Sequence, residues 1–503
     1  MKNNDLGSKI ADLREAAGLT QTDLARKLKT TQSAIARVEA GRQNISTETL
    51  KKLSRALGRN LISFSPGSLS LKIEGGKKLS GTIETNTSKN GAVALLCASL
   101  LNRGKTTIRR MPRIEEVHRV IEVLESIGVS VVWNNGDVTL TPPKKFKLDE
   151  IDVDAARKTR TIIMFIGALI HSLEKFSLPQ SGGCKLGSRT VRPHFYALEY
   201  FGVDINTTET SFDITAKKIS NKDREVILYE SGDTVTENAL LAAAMTPGKT
   251  TIKYASANYM VQDVCSFLQI CGVTIEGVGT TTLVVHGVEK IDADIEYALS
   301  EDPTDSMFFL SAAILTNSAI TITRCPIDFL ELELLVLEKM GFRYQRSKSY
   351  LAHNGVTRLV DITTKPSKLI APPEKVHSRP YPGLNADNLP FFAAIATQAE
   401  GQTLIHDWMY EKRALYFTEL DKLGADTVLA DPHRIYINGP TKLRAAELVC
   451  PPALRPATIL LIAMLGAEGH SILRNIYSIN RGYEKLVERL ASLGAEIDYL
   501  QEF

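Results

Sequence analysis

The stretch LESIGVSVV at residues 124–132 reads as the end of an amphipathic helix, Leu-x-x-x-Gly, followed directly by a β-branched strand. The same phrase returns as LEYFGVDI (198–205), LQICGVTI (268–275), LEKMGFRY (337–344), LDKLGADT (420–427) and LASLGAEI (490–497). The glycines of these six phrases are residues 128, 202, 272, 341, 424 and 494, which are 69 to 83 residues apart. A regular spacing of this length is typical of a repeated structural unit.

A second phrase precedes the first, and it consists of a helix rich in small apolar residues, a turn and a β-branched strand. Examples are AVALLCASLLNRGKTTI (92–108), ALLAAAMTPGKTTI (239–252), FFLSAAILTNSAITI (308–322), FFAAIATQAEGQTLI (391–405) and LLIAMLGAEGHSIL (460–473). These helices are apolar nearly all round, so we expect them to be buried with the strands outside. Three such helices make one compact domain and six make two, so the repeats predict a two-domain α/β structure.

The N-terminal segment has a different composition and predicts a separate helical domain. Residues 1–60 carry twelve Lys and Arg against six Asp and Glu, whereas the net charge of the whole chain is only +3. Residues 7–65 read as four or five short helices, with Thr20 capping Gln21–Leu28 and a turn leading to Thr31–Glu39. Two short helices joined in this way present the second helix to a DNA major groove, and the basic charge favours an anionic partner.

Overall composition places the chain among ordinary globular proteins. It has 503 residues, 44% of them apolar and 23% charged, which suggests about three domains and excludes disorder, collagen-like repeats and coiled coil as overall descriptions. No apolar run approaches the 18 or so residues that a membrane helix needs, and no signal peptide is present, so we expect a cytoplasmic protein. The six cysteines are scattered without a CxxC pair, so no metal site is expected.

One glycine-rich loop carries a candidate reactive thiol. Residues 182–189 read GGCKLGSR, and they place Cys184 beside Lys185 and within reach of Arg189. Nearby cations stabilise a thiolate, so a reactive cysteine is expected here. The other five cysteines lie in apolar helix or strand phrases, where we expect them to fill space.

The stretch GLTQTDLARKLKTTQSAIARVEAGRQNIS (18–46), followed by LKKLSRALG (50–58), resembles the Cro/repressor-type (XRE family) helix-turn-helix. The resemblance implies that residues 1–66 bind DNA. Gln32, Ser33 and Arg37 are then expected to meet base edges and phosphates, and Gln21 and Arg42 to contact the DNA backbone. One such module covers only a half-site, so a homodimer is expected. The alternative is a helical docking domain that does not bind DNA.

Three motifs in the rest of the chain, SKN (88–90), SGGC (181–184) and INRGYEKL (479–486), resemble those of the enolpyruvyl transferase family. That family has a two-domain fold of six repeated units, often called an inside-out α/β barrel. The SGGC loop is typical of its UDP-N-acetylglucosamine 1-carboxyvinyltransferase branch. The resemblance implies a multidomain chain: an all-α helix-turn-helix domain (1–66), one transferase domain from 69–87 plus 300–503, and a second from 88–299. It also implies catalysis without a metal or organic cofactor.

The resemblance assigns residues to phosphoenolpyruvate, to a nucleotide-sugar-like acceptor and to catalysis. The expected phosphoenolpyruvate contacts, with three cations at the phosphate and two arginines at the carboxylate, are Lys89, Asn90, Arg189, Arg413, Arg455 and Arg481. Cys184 is expected to protonate the enol carbon, and Asp387 to act as base toward the acceptor hydroxyl. The acceptor-side residues are Arg160, Thr190, Val191, Arg192, Pro193 and Met409, with Asn90 contacting the acceptor as well. Glu237 and Asn238 match a Thr-Glu-Asn phrase that the resemblance places at the start of a buried helix.

The acceptor side departs from the family pattern. After Arg189 the family typically reads Pro-Val-Asp-Leu-His, whereas residues 190–194 read Thr-Val-Arg-Pro-His, so an acid has become a base. A loop that usually holds Lys and a Ser-Val-Gly turn reads Glu-Ser-Gly-Asp-Thr at 230–234. Residues 383–386 form a short insertion, and Ala453 replaces a usual Asp. Three functions remain open: transfer to UDP-N-acetylglucosamine or a related nucleotide sugar, transfer to another acceptor, and metabolite-sensing regulation of transcription. The retained Cys184 and Asp387 favour an enzyme.

Overall fold

The computed structural model of the chain describes residues 10–11, 14–15, 19–28, 30–39, 52–53, 56, 69–180, 190–217 and 221–501. The chain divides into two compact units, residues 1–70 with 500–503 and residues 71–499. Within the described ranges, no helix combines the length and the apolar character needed to cross a membrane.

The first unit contains the two helices expected of a helix-turn-helix. They are α1 (Gln21–Leu28) and α2 (Gln32–Glu39). At the start of α1, the Thr20 hydroxyl accepts the Asp23 backbone N–H at 3.1 Å, and the Asp23 carboxylate accepts the Thr20 N–H at 3.1 Å. This reciprocal pair is a capping box, and it confirms the predicted cap and bounds of α1.

Helix α2 begins one residue later than predicted because Thr31 caps the helix instead of joining it. Its hydroxyl accepts the N–H of Ala34 at 3.3 Å. The apolar faces of the helices form a small core, whose buried members are Ile10, Leu24, Ala25, Ile35, Val38 and Leu53.

The second unit contains the repeated helices and strands. Its described helices are α3 (Lys89–Ala98), α4 (Glu115–Ser126), α5 (Val153–Lys158), α6 (Phe165–Leu169), α7 (Arg192–Glu199), α8 (Asp233–Ala244), α9 (Tyr259–Ile270), α10 (Pro303–Leu315), α11 (Glu331–Lys339), α12 (Leu389–Ala396), α13 (Leu454–Gly466), α14 (Tyr477–Asn480) and α15 (Leu486–Ser492). Short 3₁₀ helices cover Ser99–Leu101, Leu148–Glu150, Thr161–Met164, Ile327–Phe329 and Ala414–Leu423.

The strands form six sheets in the described residues, matching the six repeats. They are β1 (Leu69–Gly75), β2 (Ser80–Glu84), β3 (Thr106–Arg109), β4 (Ser130–Asn134), β5 (Asp137–Thr141), β6 (Lys175–Pro179), β7 (Val203–Thr207), β8 (Ser211–Ala216), β9 (Arg224–Ile227), β10 (Lys249–Lys253), β11 (Thr274–Glu276), β12 (Thr282–His286), β13 (Ile295–Ala298), β14 (Ala319–Pro326), β15 (Arg343–Arg346), β16 (Tyr350–Leu351), β17 (Arg358–Lys365), β18 (Leu369–Ile370), β19 (Val376–His377), β20 (Ala399–His406), β21 (Asp426–Asp431), β22 (Arg434–Gly439), β23 (Glu447–Val449), β24 (Gly469–Arg474) and β25 (Glu496–Gln501). The sheet orders are β23-β24-β1-β25, β11-β12-β10-β9, β13-β3-β5-β4, β15-β17-β14-β2 with β16 on β17, β18-β20-β22-β21 with β19 on β20, and β6-β8-β7.

The apolar helices lie inside these sheets in two groups of three. Helices α3, α6 and α8 contact one another, and so do α10, α12 and α13. Every residue of α10 is buried, as the apolar run FFLSAAIL in its second half predicts. One hydrophobic core cluster runs from Ala92 to Leu299, within the range predicted for the second transferase domain. The predicted division of the second unit into two domains stays a prediction.

The glycine of each repeat phrase has a conformational role. All six have φ between +72° and +96°, at the point where a helix ends and the next strand begins. This left-handed conformation is the usual C-terminal stop of a helix and is strained for other residues. The recurrence of Leu-x-x-x-Gly therefore reflects the same helix-to-strand turn in six places.

An ion cluster lies where the segment 84–88 runs beside the segment 300–302. The backbones pair there, since the N–H of Ser88 donates to the Ser300 carbonyl and the N–H of Asp302 donates to the Asn86 carbonyl, both at 2.8 Å. Next to this pairing, the fully buried Glu301 accepts from the guanidinium groups of Arg110 (2.7 Å) and Arg324 (2.5 Å).

Removal of the Glu301 carboxylate is expected to destabilise the fold. Glu301→Ala removes the buried carboxylate and leaves Arg110 and Arg324 paired with the exposed Glu84, at 2.5 and 3.5 Å. We therefore expect a loss of about 2 kcal/mol in the free energy of unfolding. Urea denaturation measures the change. The matched control is Glu296→Ala, because the Arg109–Glu296 pair is about half exposed at both side chains and should contribute less than about 1 kcal/mol. Equal losses in the two variants would contradict the structural role of Glu301.

Candidate active site

Lys89 is the first residue of α3, and its ammonium group is paired with a buried carboxylate. Ser88 caps the helix by accepting the N–H of Gly91 at 2.8 Å. Lys89 Nζ donates to Glu116 Oε2 at 3.0 Å, and both side chains are 16% exposed. Burial by itself would raise the pKa of Glu116, but the charges of Lys89 and Arg481 bring it below its usual value. Lys89, Glu116 and Arg481 therefore form one charged group.

Asp387 lies against Arg455, the second residue of α13. Arg455 Nη2 donates to Asp387 Oδ2 at 3.1 Å, and Nη1 donates to the Tyr483 hydroxyl at 2.8 Å. Burial would raise the pKa of Asp387, but Arg455 and Arg413 outweigh it and lower the pKa. The carboxylate is thus ionised at neutral pH and able to accept a proton.

Arg413 is more deeply buried than its predicted role at a substrate carboxylate suggests. It is 1% exposed, and its guanidinium is held by the carboxylate of Asp407, with Nη2 to Oδ1 at 2.9 Å. Nη2 also donates to the Ala386 carbonyl at 2.8 Å, and the guanidinium lies 4.0 Å from the ring centre of Tyr410. In this structure Arg413 therefore supports the backbone that precedes Asp387.

A narrow cavity of about 20 Å³ lies among these groups, with Lys89, Asp302, Arg455 and Tyr483 in its lining. The Nε atoms of Arg455 and Arg481 are buried and have no hydrogen-bond partner within the part of the chain that the structure describes. A buried guanidinium N–H without an acceptor is costly. Of these two donors, Arg455 Nε belongs to a residue that lines the cavity together with Lys89 and the carboxylates of Asp302 and Asp305.

Asn90 connects the cationic group to a neighbouring helix. Its Nδ2 donates to the hydroxyl of Tyr259, the first residue of α9, at 3.4 Å. Burial raises the pKa of Tyr259 well above its usual value, so the hydroxyl stays protonated.

The predicted acceptor-side residues fall on two segments. Arg160 Nη2 donates to the Thr190 carbonyl at 2.8 Å, and the Thr190 hydroxyl accepts the N–H of Arg192 at 3.1 Å. Val191 is half-buried and Pro193 is buried at the start of α7. Met409 is 38% exposed on the separate segment between Asp407 and Arg413.

Buried polar groups of α8 connect it to α7. Asn238 Oδ1 accepts the N–H of Gly167 at 2.9 Å, so its Nδ2 is the donor to His194 Nδ1 at 3.1 Å. Burial lowers the pKa of His194 to about 3, so the ring is neutral and its Nε2–H faces the Thr234 hydroxyl at 3.3 Å. Glu237 is buried beside Asn238, and burial raises its pKa well above the usual range.

The predicted catalytic Cys184, together with Arg189 and Arg42, lies outside the described residues. Cys97, Cys265, Cys325 and Cys450 are buried and Cys271 is half-buried, which confirms that they fill space. Burial raises the pKa of all five thiols, to about 12 in Cys265, Cys271, Cys325 and Cys450. Within the described ranges, no three His, Cys, Asp or Glu side chains are arranged to hold a metal.

In the first unit, three of the predicted DNA contacts lie on α2. Gln32, Ser33 and Arg37 are exposed on that helix. Gln32 Nε2 donates to Gln21 Oε1 at 2.6 Å, and Gln21 Nε2 donates to Glu39 Oε2 at 2.8 Å. The Gln21 and Gln32 amides are thus oriented before any contact with a partner.

Sequence reasoning missed the partners of the site cations, which are Glu116, Tyr259, Asp302, Asp407 and Tyr483. Some local signals were present. Glu116 lies in the first turn of an amphipathic helix, and Tyr483 lies within the INRGYEKL motif. Asp407 directly follows a β-branched strand, six residues before Arg413.

Comparison with known proteins gives two matches along the chain. Residues 73–490 match the family EPSP synthase (3-phosphoshikimate 1-carboxyvinyltransferase), and residues 10–64 match the family Helix-turn-helix. The UDP-N-acetylglucosamine 1-carboxyvinyltransferase of Treponema denticola is 34% identical over 427 residues, covering 85% of this chain and 98% of the relative. The UDP-N-acetylglucosamine 1-carboxyvinyltransferase of Bradyrhizobium diazoefficiens is 31% identical over 432 residues, covering 86% of this chain and 98% of the relative.

Solved structures show the same fold. The enolpyruvyl transferase NikO from Streptomyces tendae superposes with a TM-score of 0.75 at 25% identity, covering 87% of this chain and 100% of that chain. An EPSP synthase from Acinetobacter baumannii superposes with a TM-score of 0.66 at 19% identity, covering 86% of this chain and 100% of that chain. The second likeness concerns the fold alone.

The lowered pKa values in the site predict a pH-dependent contribution to stability. Glu116 has a lower pKa in the folded than in the unfolded chain, so its stabilisation is complete above its unfolded value of about 4.3 and is lost as the pH falls through its folded value. Glu116→Gln should therefore lower the free energy of unfolding at about pH 6, and the deficit relative to the unmodified protein should shrink at about pH 3.5.

Urea denaturation at the two pH values measures this difference. Glu122→Gln, in the same helix but paired at the surface with Arg119, is the control and should show a small difference at both pH values. A Glu116→Gln deficit that does not change with pH would refute the assignment.

Proposed function

The chain belongs to the enolpyruvyl transferase family and carries an N-terminal helix-turn-helix domain, and from this premise we propose its reaction. The enolpyruvyl group of phosphoenolpyruvate is transferred to a hydroxyl of a nucleotide-type acceptor, and phosphate is released. UDP-N-acetylglucosamine, which the relatives' names contain, is the reference acceptor. The observation that carries the proposal is the group of Lys89 and Arg455 near Asp387, with Arg481 and Lys89 acting on Glu116. The Nε atoms of Arg455 and Arg481 are buried and lack acceptors within the described residues.

In this proposal the cations bind the two anionic ends of phosphoenolpyruvate. Lys89 and Arg481, with Arg189, hold the phosphate, and Arg455 holds the carboxylate. Their present partners, Glu116 and Asp387, keep these charges compensated before substrate arrives. Arg413 contributes by fixing the segment of Asp387 through Ala386.

The chemistry proceeds by addition and then elimination. The acceptor oxygen bonds to C2 of phosphoenolpyruvate as Asp387 accepts the hydroxyl proton and Cys184 gives a proton to C3. In the second step, C3 returns a proton to the Cys184 thiolate as the C2–O bond to phosphate breaks. The phosphate leaves with the electron pair of that bond and takes up the proton held by Asp387, which leaves an enol ether and inorganic phosphate. The lowered pKa of Asp387 keeps its carboxylate ionised before the acceptor binds.

The helix-turn-helix supports a second role in binding DNA. Exposed Gln32, Ser33 and Arg37 on α2 offer amide, hydroxyl and guanidinium groups to a major groove. Because one module covers a half-site, the DNA-binding form is a homodimer. We therefore propose an enolpyruvyl transferase that also binds DNA through residues 1–66.

Alkylation of Cys184 tests the transferase proposal without knowledge of the acceptor. An epoxide that mimics phosphoenolpyruvate should add one equivalent to the unmodified chain, seen by intact-protein mass spectrometry, and none to Cys184→Ala. Cys271→Ala, which removes a half-buried thiol of raised pKa, should label normally. In a turnover assay with an acceptor panel, Cys184→Ala should lose at least about 100-fold in phosphate release. Full labelling or full activity in Cys184→Ala would contradict the proposal.

Salt dependence tests the DNA-binding role. In a random-site selection with the full chain, we expect enriched DNA whose affinity falls steeply with salt concentration. Arg37→Ala should weaken binding by about tenfold, whereas Arg343→Ala, an exposed arginine of β15 in the second unit, should leave it unchanged. Binding that is absent or insensitive to salt would favour a protein-docking domain instead.

A further inference from the structure

A buried carboxylate on α9 lies against the start of α3, the helix that begins at Lys89. Asp263 is 2% exposed. Its Oδ2 accepts the Ser300 hydroxyl at 2.6 Å and the Ser300 N–H at 3.2 Å, and its Oδ1 accepts the Tyr297 hydroxyl at 2.7 Å. Burial raises the pKa of Asp263 to about 6, so the carboxyl is ionised at neutral pH and accepts all three bonds. Asp263 therefore fixes Ser300 through both its backbone and its side chain.

Ser300 connects Asp263 to the cap of α3. Its carbonyl accepts the N–H of Ser88 at 2.8 Å, and the Ser88 hydroxyl accepts the N–H of Gly91 at 2.8 Å. Ser88 and Ser300 are both buried, so losing either bond would leave a buried N–H without a partner. A displacement of Ser300 would therefore displace the backbone that carries Lys89.

The Asp263 carboxylate also lies closer to Gly91 than a side chain at that position would allow. A Cβ atom added to Gly91 would lie 2.7 Å from Asp263 Oδ2 and 3.2 Å from Ser88 Oγ. The first of these contacts is repulsive, since non-bonded carbon atoms pack at about 3.5–4.0 Å. Glycine at this position therefore allows α9 to pack directly on the first turn of α3.

One turn earlier on α9, Tyr259 contacts the second residue of α3. Its hydroxyl accepts Asn90 Nδ2 at 3.4 Å. Residues four apart lie on the same face of a helix, so Tyr259 and Asp263 share one face of α9. This face contacts residues 90 and 91 directly and residue 88 through Ser300, which are the neighbours of Lys89 on both sides.

Resting on the proposed function, we propose that Asp263 is a positioning residue for phosphoenolpyruvate binding, because it fixes the first turn of α3 and thereby places Lys89 and Asn90. Lys89 holds the phosphate in the bound substrate and in the transition state alike, so a displaced helix start lowers the affinity more than the rate of the chemical step. The role depends on where an acceptor oxygen lies and not on its charge. Asp263→Asn keeps a carbonyl oxygen for Ser300 and turns its amide N–H toward the Tyr297 hydroxyl, which is able to accept it.

Two titrations of the full chain measure the effect. Calorimetry gives the dissociation constant of phosphoenolpyruvate, and labelling by the epoxide that mimics it gives a half-saturating concentration and a limiting rate. Asp263→Ala should raise the dissociation constant and the half-saturating concentration by about tenfold, with the limiting rate within about twofold. Asp263→Asn should stay within about threefold of the unmodified chain in all three values.

Gly91→Ala tests the same contact without removing a buried acceptor, so it remains informative where Asp263→Ala fails to fold. The added methyl group should weaken phosphoenolpyruvate binding by about fivefold, although alanine favours a helix more than glycine does. Combined with Asp263→Ala, Gly91→Ala should cause no further loss, because the group that it meets is gone.

The control for lost stability is Thr364→Val. It removes a buried hydroxyl of β17 that accepts the Ile320 N–H at 3.0 Å and donates to the Ser318 carbonyl at 2.9 Å. It should leave the affinity for phosphoenolpyruvate unchanged, whereas weakening as large as that in Asp263→Ala would show that lost stability alone is responsible and would overturn the inference.

Two further results would overturn the positioning role: unchanged affinity in Asp263→Ala or in Gly91→Ala, and equal weakening in Asp263→Asn and Asp263→Ala. In each case the unmodified chain binds phosphoenolpyruvate normally, so the proposed function stands. If the unmodified chain neither binds phosphoenolpyruvate nor takes up the epoxide, the proposed function itself fails, and the inference fails with it.

Discussion

The second unit depends on one electrostatic constraint: cations inside a protein must be neutralised by carboxylates of the chain. Lys89, Arg413 and Arg455 are each paired with a carboxylate of the chain, namely Glu116, Asp407 and Asp387. An isolated buried charge would cost several kcal/mol, and these pairs offset that cost. The pairing also lowers the pKa of Glu116 and Asp387, so both carboxyls are ionised at neutral pH.

The repeat architecture determines where such a site can be built. The helices of each group are almost wholly buried, and α10 and α12 consist mainly of apolar residues. Lys89 begins α3, and Arg455 is the second residue of α13. Each helix brings its functional group to the site in its first turn, and the six sheets outside provide the rest of the buried surface.

The sequence predicted what depends on local physical chemistry. Gly128 and its five counterparts marked the helix ends because the left-handed turn requires glycine, and Thr20 marked the start of α1 because a hydroxyl there satisfies a free N–H. The apolar phrases also identified helices that the fold buries, such as α10 and α12. Composition and spacing alone did not identify the reaction, which came from a resemblance of short motifs.

Partners that are brought together only by the tertiary fold escaped the sequence. Tyr483 accepts from Arg455 across 28 residues and Glu116 accepts from Lys89 across 27, distances at which no spacing rule applies. The burial of Arg413 was likewise not predicted, because the local sequence does not distinguish an exposed arginine from one that is buried and paired with Asp407.

The cationic group around Lys89 and Arg455 and the polar residues of α7 and α8 lie on different elements, so the charges of one group can change without a change in the other. The cations come from α3, α13 and the residue after α14, together with Glu116 on α4, whereas Arg192, Asp233 and Thr234 belong to α7 and α8. The two groups meet through neutral polar contacts, Asn90 with Tyr259 and Asn258 with Asp233. A change of charge at α8 therefore leaves the ion pairs of Lys89 and Arg455 in place.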